Sequence, residues 1–69
     1  MGIEKHIQVT GSSTVSWKDA IIKTVEKVSQ TINYITAIKI LEQRAKVTGN
    51  IMSEYYVYLD ITFMVDQNQ

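Results

Sequence analysis

The most regular pattern in this chain lies in residues 54–65. Tyr55, Val57, Leu59, Ile61, Phe63 and Val65 share one parity, and Glu54, Tyr56, Tyr58, Asp60, Thr62 and Met64 the other. Successive side chains of a strand point to opposite faces, so this predicts a central strand whose odd face lies on the core. Residues 3–10 alternate in the same way: Ile3, Ile7 and Val9 oppose Glu4, His6, Gln8 and Thr10, with Lys5 the exception on the apolar face. They read as a half-buried strand with His6 on its solvated side.

Between residues 17 and 32 the period changes to that of a helix. Trp17, Ala20, Ile21, Val25, Val28 and Ile32 form one apolar stripe, with Asp19, Lys23, Glu26 and Gln30 opposite. Ile22 stands off the stripe and is free to touch solvent or another subunit. Ser16 suits the N-cap, because its hydroxyl can accept from a free first-turn amide. Asp19, three residues on, takes a capping-box-like place and its charge favours the positive helix end. Residues 36–47 form a third extended element with a defect. Ile38 and Ile40 are even, whereas Leu41, Ala45 and Val47 are odd. A bulge or bend, or burial on both faces, would account for that.

Gly11-Ser12-Ser13 and Thr48-Gly49-Asn50 carry the turn signals, with a weaker break near Asn33. Residues 48–53 join the last two elements into a hairpin. The order is therefore β-α-β-β, an α+β fold in one domain over residues 1–69. With the helix as a crossover, the first and second strands run parallel and the last fits between them, antiparallel to both. This gives a three-stranded antiparallel sheet in the order 1-3-2 with one helix on a face. A 16-residue helix is roughly 24 Å long and a 12-residue strand roughly 40 Å. The helix cannot cover the hairpin, so Tyr56, Tyr58 and Met64 are expected to meet other copies of the chain.

Composition sharpens that expectation. At 69 residues a chain buries about 60% of its unfolded surface, and small domains add disulfides, a metal or self-association. There is no Cys and one His, which removes the first and weakens the second. Seven basic and seven acidic residues give zero net charge, which argues against a phosphate-driven nucleic-acid binder. No apolar run approaches a membrane span, and the first residues lack a signal-peptide core, so the cytoplasm is the expected compartment. No nucleophile stands in a catalytic motif, and the expectation is a protein that is not an enzyme. Gly11-Ser12-Ser13 is a weak anion-binding signal without the length or lysine of a P-loop. Trp17 reads as core packing at the head of the stripe. Glu42, Arg44 and Lys46 alternate on one face, as a salt-bridge ladder or as an anion-recognising rim.

Three segments together resemble the dodecins: Val9-Thr10-Gly11-Ser12-Ser13, then Ser16-Trp17-Lys18-Asp19-Ala20, then Glu54-Tyr55-Tyr56-Val57-Tyr58-Leu59-Asp60-Ile61-Thr62-Phe63. The resemblance runs from about Lys5 to Asp66. It implies a hollow homododecamer of tetrahedral symmetry that binds a small ligand where subunits meet. Flavin-binding dodecins stack paired isoalloxazine rings between tryptophans of symmetry-related subunits and sequester riboflavin or flavin mononucleotide (FMN) without catalysis.

Carried over by position, the resemblance implies ligand-binding roles for Ala37, Glu42, Arg44 and Tyr56. Ala37 stands where the flavin-stacking Trp is expected, and Tyr56 where a ring-binding Gln is expected. Glu42 and Arg44 keep the acidic and basic positions. An aromatic stack is worth about 1–3 kcal/mol, so flavin binding is expected to be weakened. The Ser16-to-Ala20 segment is most similar to calcium dodecins, which also lack that Trp. The alternative expectation is therefore a calcium- or other cation-binding variant without flavin, with Glu42, Glu54 and Asp60 as carboxylates on the hairpin.

Overall fold

The computed structural model describes residues 2–66. Strand β1 spans Gly2–Ser13, helix α1 Trp17–Ser29, β2 Ile35–Thr48 and β3 Ile51–Asp66. The sheet has the order β1-β3-β2, with β3 antiparallel to both neighbours, as the alternation predicts. Among the described residues no helix is long and apolar enough to cross a membrane.

The core confirms the predicted face of β3. Val57, Leu59 and Ile61 are buried against Ala20 of α1, and Ile7, Val9, Trp17, Ile21, Val28 and Ile35 close around them. Leu59 is 0% exposed. The helix start is also as expected, with the Ser16 hydroxyl accepting from the Asp19 amide at 2.9 Å. Asp19 does not reach back to complete a capping box. Its carboxylate accepts from the Ser13 hydroxyl at 2.6 Å and pairs with Lys23 at 3.2 Å. The Ser13 bond, then Lys23, holds its carboxyl below the usual range.

Several boundaries move. The helix is assigned to Ser29 rather than Ile32, because Gln30 and Thr31 donate to Lys27 and Val28 with i→i−3 bonds. Ile32 still donates to Val28, so the stripe ends on a loosening turn. Tyr34 then takes φ 60°, and its carbonyl accepts from the Met64 amide. The hairpin turn contracts to Gly49 and Asn50, whose φ of 59° and 65° have the sign a type I′ turn requires.

The larger correction concerns Gly11-Ser12-Ser13, expected as a turn. All three lie in β1, opposite Val57, Tyr56 and Tyr55. Gly11 serves close approach rather than a turn: a Cβ built there would meet Thr24 Oγ1 at 1.7 Å and Thr24 Cβ at 3.0 Å. Thr24 cannot swing away freely, since its hydroxyl donates to the Ala20 carbonyl at 2.7 Å.

The parity defect in β2 is a bulge. Ile40 pairs with Leu59 and Glu42 with Tyr58, so Leu41 is the extra residue. Further irregularities fall at Ile35/Ala37 and Lys46/Val47. Helix α1 has 13 residues, about 20 Å. Strand β3 has 16 residues, about 53 Å, and sets the 56 Å length of the molecule. The hairpin outruns the helix. Val47, Ile51 and Met52 at its tip and Ile38, Ile40 and Leu41 along β2 are exposed, Ile51 by 69%.

Two substitutions probe this arrangement. Leu59→Ala is expected to cost about 2–5 kcal/mol in denaturant unfolding, as loss of a fully buried side chain does. Gly11→Ala is expected to cost about 1–3 kcal/mol by overpacking, and Thr24→Ala in the same chain to return part of it.

Candidate functional site

A face of the sheet away from α1 is built by register. On β3 it carries Glu54, Tyr56, Tyr58, Asp60, Thr62 and Met64. Opposite them on β1 stand Ser12, Thr10, Gln8, His6 and Glu4. On β2, Lys46, Arg44 and Glu42 oppose Glu54, Tyr56 and Tyr58. The bulge is what places them there. In unbroken alternation Glu42 and Arg44 would share the side of Ile38 and Ile40, whose partners Ile61 and Leu59 are core.

Three of the four predicted ligand positions converge. Glu42, Arg44 and Tyr56 line an open cleft of about 270 Å³ together with Thr10, Val57 and Tyr58. Both phenols are held in place. Tyr56 donates to Glu54 Oε1 at 3.1 Å and Tyr58 to Gln8 Oε1 at 2.7 Å. The Glu54 bond raises the Tyr56 phenol above its ordinary value, more than the Arg44 charge lowers it. Among the described residues Arg44 forms no ion pair. The cleft thus offers two oriented aromatic rings, one cation and one carboxylate.

Ala37 is not among them. Its partner on β3 is Thr62, roughly 20 Å along the strand from Tyr56. Nor are the three hairpin carboxylates together. Glu42 is in the cleft, Glu54 accepts from Tyr56, and Asp60 accepts from His6 at 3.0 Å. Among the described residues no three His, Asp or Glu side chains are grouped to hold a metal. The anion-binding reading of Gly11-Ser12-Ser13 fails, because Gly11 and Ser12 lie in the sheet and Ser13 is engaged by Asp19 and Val15.

Trp17 supports the cleft from behind. Its ring meets Tyr55 edge-on at 5.0 Å and 77°, and its Nε1 donates to the Arg44 carbonyl at 2.9 Å. That bond ties the helix start to β2 where β2 carries the cationic side chain. Thr10, Val57 and Tyr58 line the cleft without being expected as ligand positions; the sequence marks Val57 as core and Tyr58 as a contact with other copies. Tyr58 shares the parity of Tyr56, but its place in the cleft depends on pairing with Thr10 on one side and Glu42 on the other.

Three comparisons bear on these features. The Dodecin family profile matches residues 3–66. No curated protein matches the chain significantly. Among solved structures, the dodecin from Streptomyces davaonensis superposes with TM-score 0.88 at 18% identity, covering 96% of this chain and 97% of that one. A Thermus thermophilus dodecin variant gives 0.90 at 19%, over 99% and 100%. The calcium dodecin of Mycobacterium tuberculosis, described as a calcium-chelating immunodominant antigen with a novel calcium-binding site, gives 0.80 at 24%, over 97% and 96%. At these identities the likeness is one of fold.

Trp17→Phe is expected to destabilise the protein by about 1 kcal/mol, through loss of one neutral hydrogen bond and part of a ring contact. Urea unfolding followed by circular dichroism checks this, since the substitution removes the chain's one Trp fluorophore.

Proposed function

This chain belongs to the dodecin family, and from that premise we propose that it forms a hollow homododecamer which sequesters a small ligand where subunits meet. The ligand class is flavin, FMN or riboflavin, held more weakly than by a Trp-bearing dodecin. The protein is not an enzyme in this reading, and its compartment is the cytoplasm.

One observation carries the proposal. Glu42, Arg44 and Tyr56 share a cleft, while Ala37, the fourth residue of the same expected site, lies beside Thr62, roughly 13 Å along the sheet from Tyr58 and roughly 20 Å from Tyr56. In this reading the stacking position of one copy and the polar cleft of another complete one site. The cleft is open, at about 270 Å³, and in this reading a second subunit closes it. The exposed Ile38, Ile40, Leu41, Val47, Ile51 and Met52 supply apolar surface for association of subunits through β2 and the hairpin tip. The chemistry fits holding rather than cleaving: the rings offer π faces, Arg44 a charge for an anionic group, and both phenols already donate elsewhere.

A second reading has its own support. Ala37 lacks any stacking surface, and the Mycobacterium tuberculosis relative is a calcium dodecin. A cation site here would draw carboxylates from more than one subunit, since Glu42, Glu54 and Asp60 are apart in one chain.

Light scattering is expected to give a particle of twelve chains; a monomer or dimer overturns the assembly. Titration of riboflavin with the protein is expected to quench flavin fluorescence only at high protein concentration. Ala37→Trp is expected to tighten binding by about 5- to 150-fold per restored stack, the equivalent of about 1–3 kcal/mol. If neither protein quenches flavin while calorimetry shows calcium-specific heat that a chelator abolishes, the cation reading replaces the flavin one.

A further inference from the structure

His6 is the one histidine of the chain, and it sits far from the cleft with both ring nitrogens facing carboxylates. Nδ1 lies 3.0 Å from Asp60 Oδ2 on β3, and Nε2 lies 3.1 Å from Glu4 Oε2 on its own strand. Thr62 Oγ1 is 3.1 Å from the same Nδ1. A neutral imidazole carries one N–H, so only the imidazolium can donate to Asp60 and Glu4 together. The remaining neighbours by register are Gln8 on β1 and Lys39 on β2, each opposite Asp60.

The place of this cluster gives the proton something to decide. Strand β1 is an edge strand, paired on one side only. Its second half is held by Ile7, Val9 and Ser13, which pack on the core or the helix start. Its first half is not: residues 2–6 are exposed, Ile3 by 39% and Lys5 on the core-side parity. With little apolar burial there, the backbone ladder to β3 and the side-chain bonds of the outer face carry the attachment.

We infer that His6 is a proton-operated clamp that holds the first half of edge strand β1 more tightly against β3 when charged and loosens it when the imidazolium is lost. Deprotonation leaves one N–H for two carboxylates. If Nε2 keeps it, Glu4 remains bonded, Thr62 donates to Nδ1 and Asp60 loses its partner. If Nδ1 keeps it, Asp60 remains bonded and Glu4 is released. Either way two carboxylates face each other across a neutral ring, with Lys39 beside Asp60 the nearest compensating charge by register. The direction of titration agrees. The hydrogen bond to Asp60 raises the His6 pKa above 6.5 against a smaller opposing effect of desolvation, with Glu4 adding to the rise. A raised value in the folded protein means the clamp is fully set below the ordinary histidine range and is lost as pH rises through the raised value. The loosened segment is the exposed end of an edge strand, the kind of edge that recruits other strands.

Because the chain has one histidine, histidine-selective ¹³C labelling reports this group alone in the assembled protein. The expected titration midpoint lies above about 6.5. Asp60→Asn is expected to bring it down toward that value, and Glu4→Gln to bring it down less. Amide hydrogen exchange, corrected for its intrinsic pH dependence, is expected to show protection in residues 3–7 falling several-fold between about pH 6 and pH 8.5. His6→Gln is expected to lack that step. A wild-type midpoint at or below about 6.5, or the same protection profile in His6→Gln, overturns the clamp. If His6→Gln does not fold, the wild-type and Asp60→Asn midpoints decide the matter.

Discussion

Strand β3 has no freedom about which way its side chains point, and every other element is registered against it. Val57, Leu59 and Ile61 are held under Ala20 of α1. A slip of one residue would carry all three to the other face and bring Tyr58 and Asp60 inward, so burial specifies the register strongly. With β3 set, β1 and β2 are aligned on either side of it, and the helix can lie only over the odd face. The close approach of Gly11 to Thr24 and the bond from Trp17 to the Arg44 carbonyl then fix where along the sheet the helix sits.

That one constraint divides the molecule into unequal surfaces. The helix is about 20 Å long on a sheet more than twice that length. It buries the middle of β3 and leaves the inner side of β2 and the hairpin tip bare. The exposed side chains there are aliphatic, and for a neutral chain no charge repulsion keeps copies apart. The opposite face is polar and ordered by pairs that bridge or run along the strands: Glu4 and Asp60 with His6, Gln8 with Tyr58, Glu54 with Tyr56. One surface is aliphatic and the other polar. They are joined at β2, where the Leu41 bulge turns Glu42 and Arg44 from the side of Ile40 to the side of Tyr58.

Much of this was legible before the structure. The period-two run of β3, the helical stripe from Trp17, the Ser16 cap and the order 1-3-2 all follow from local patterns that tertiary contacts reinforce. The bulge was legible as well, as a change of parity between Ile40 and Leu41, although a bend or two-sided burial would leave the same trace. The readings that failed were those in which one residue type serves two purposes. Gly11-Ser12-Ser13 looks like a turn because glycine and serine favour turns. Here the glycine admits a helix side chain and Ser13 ends a strand by donating to Asp19. Nothing in the local sequence separates those roles, because the deciding neighbour, Thr24, is on another element.

For the site the division is sharper. The sequence alone determined that Glu42, Arg44 and Tyr56 are polar or aromatic residues on a hairpin, that Ala37 offers no ring to stack on, and that the chain has no cysteine and one histidine to supplement a small core. Those conclusions need only residue identity and period. The tertiary structure decided which of these residues meet. It joined Thr10 and Tyr58 to the cleft, set Ala37 roughly 20 Å from Tyr56, and dispersed Glu42, Glu54 and Asp60. The physical reason is that proximity across a sheet depends on the pairing register of three strands. The core under β3 and a single extra residue at Leu41 set that register, and a sequence pattern carries it only in part.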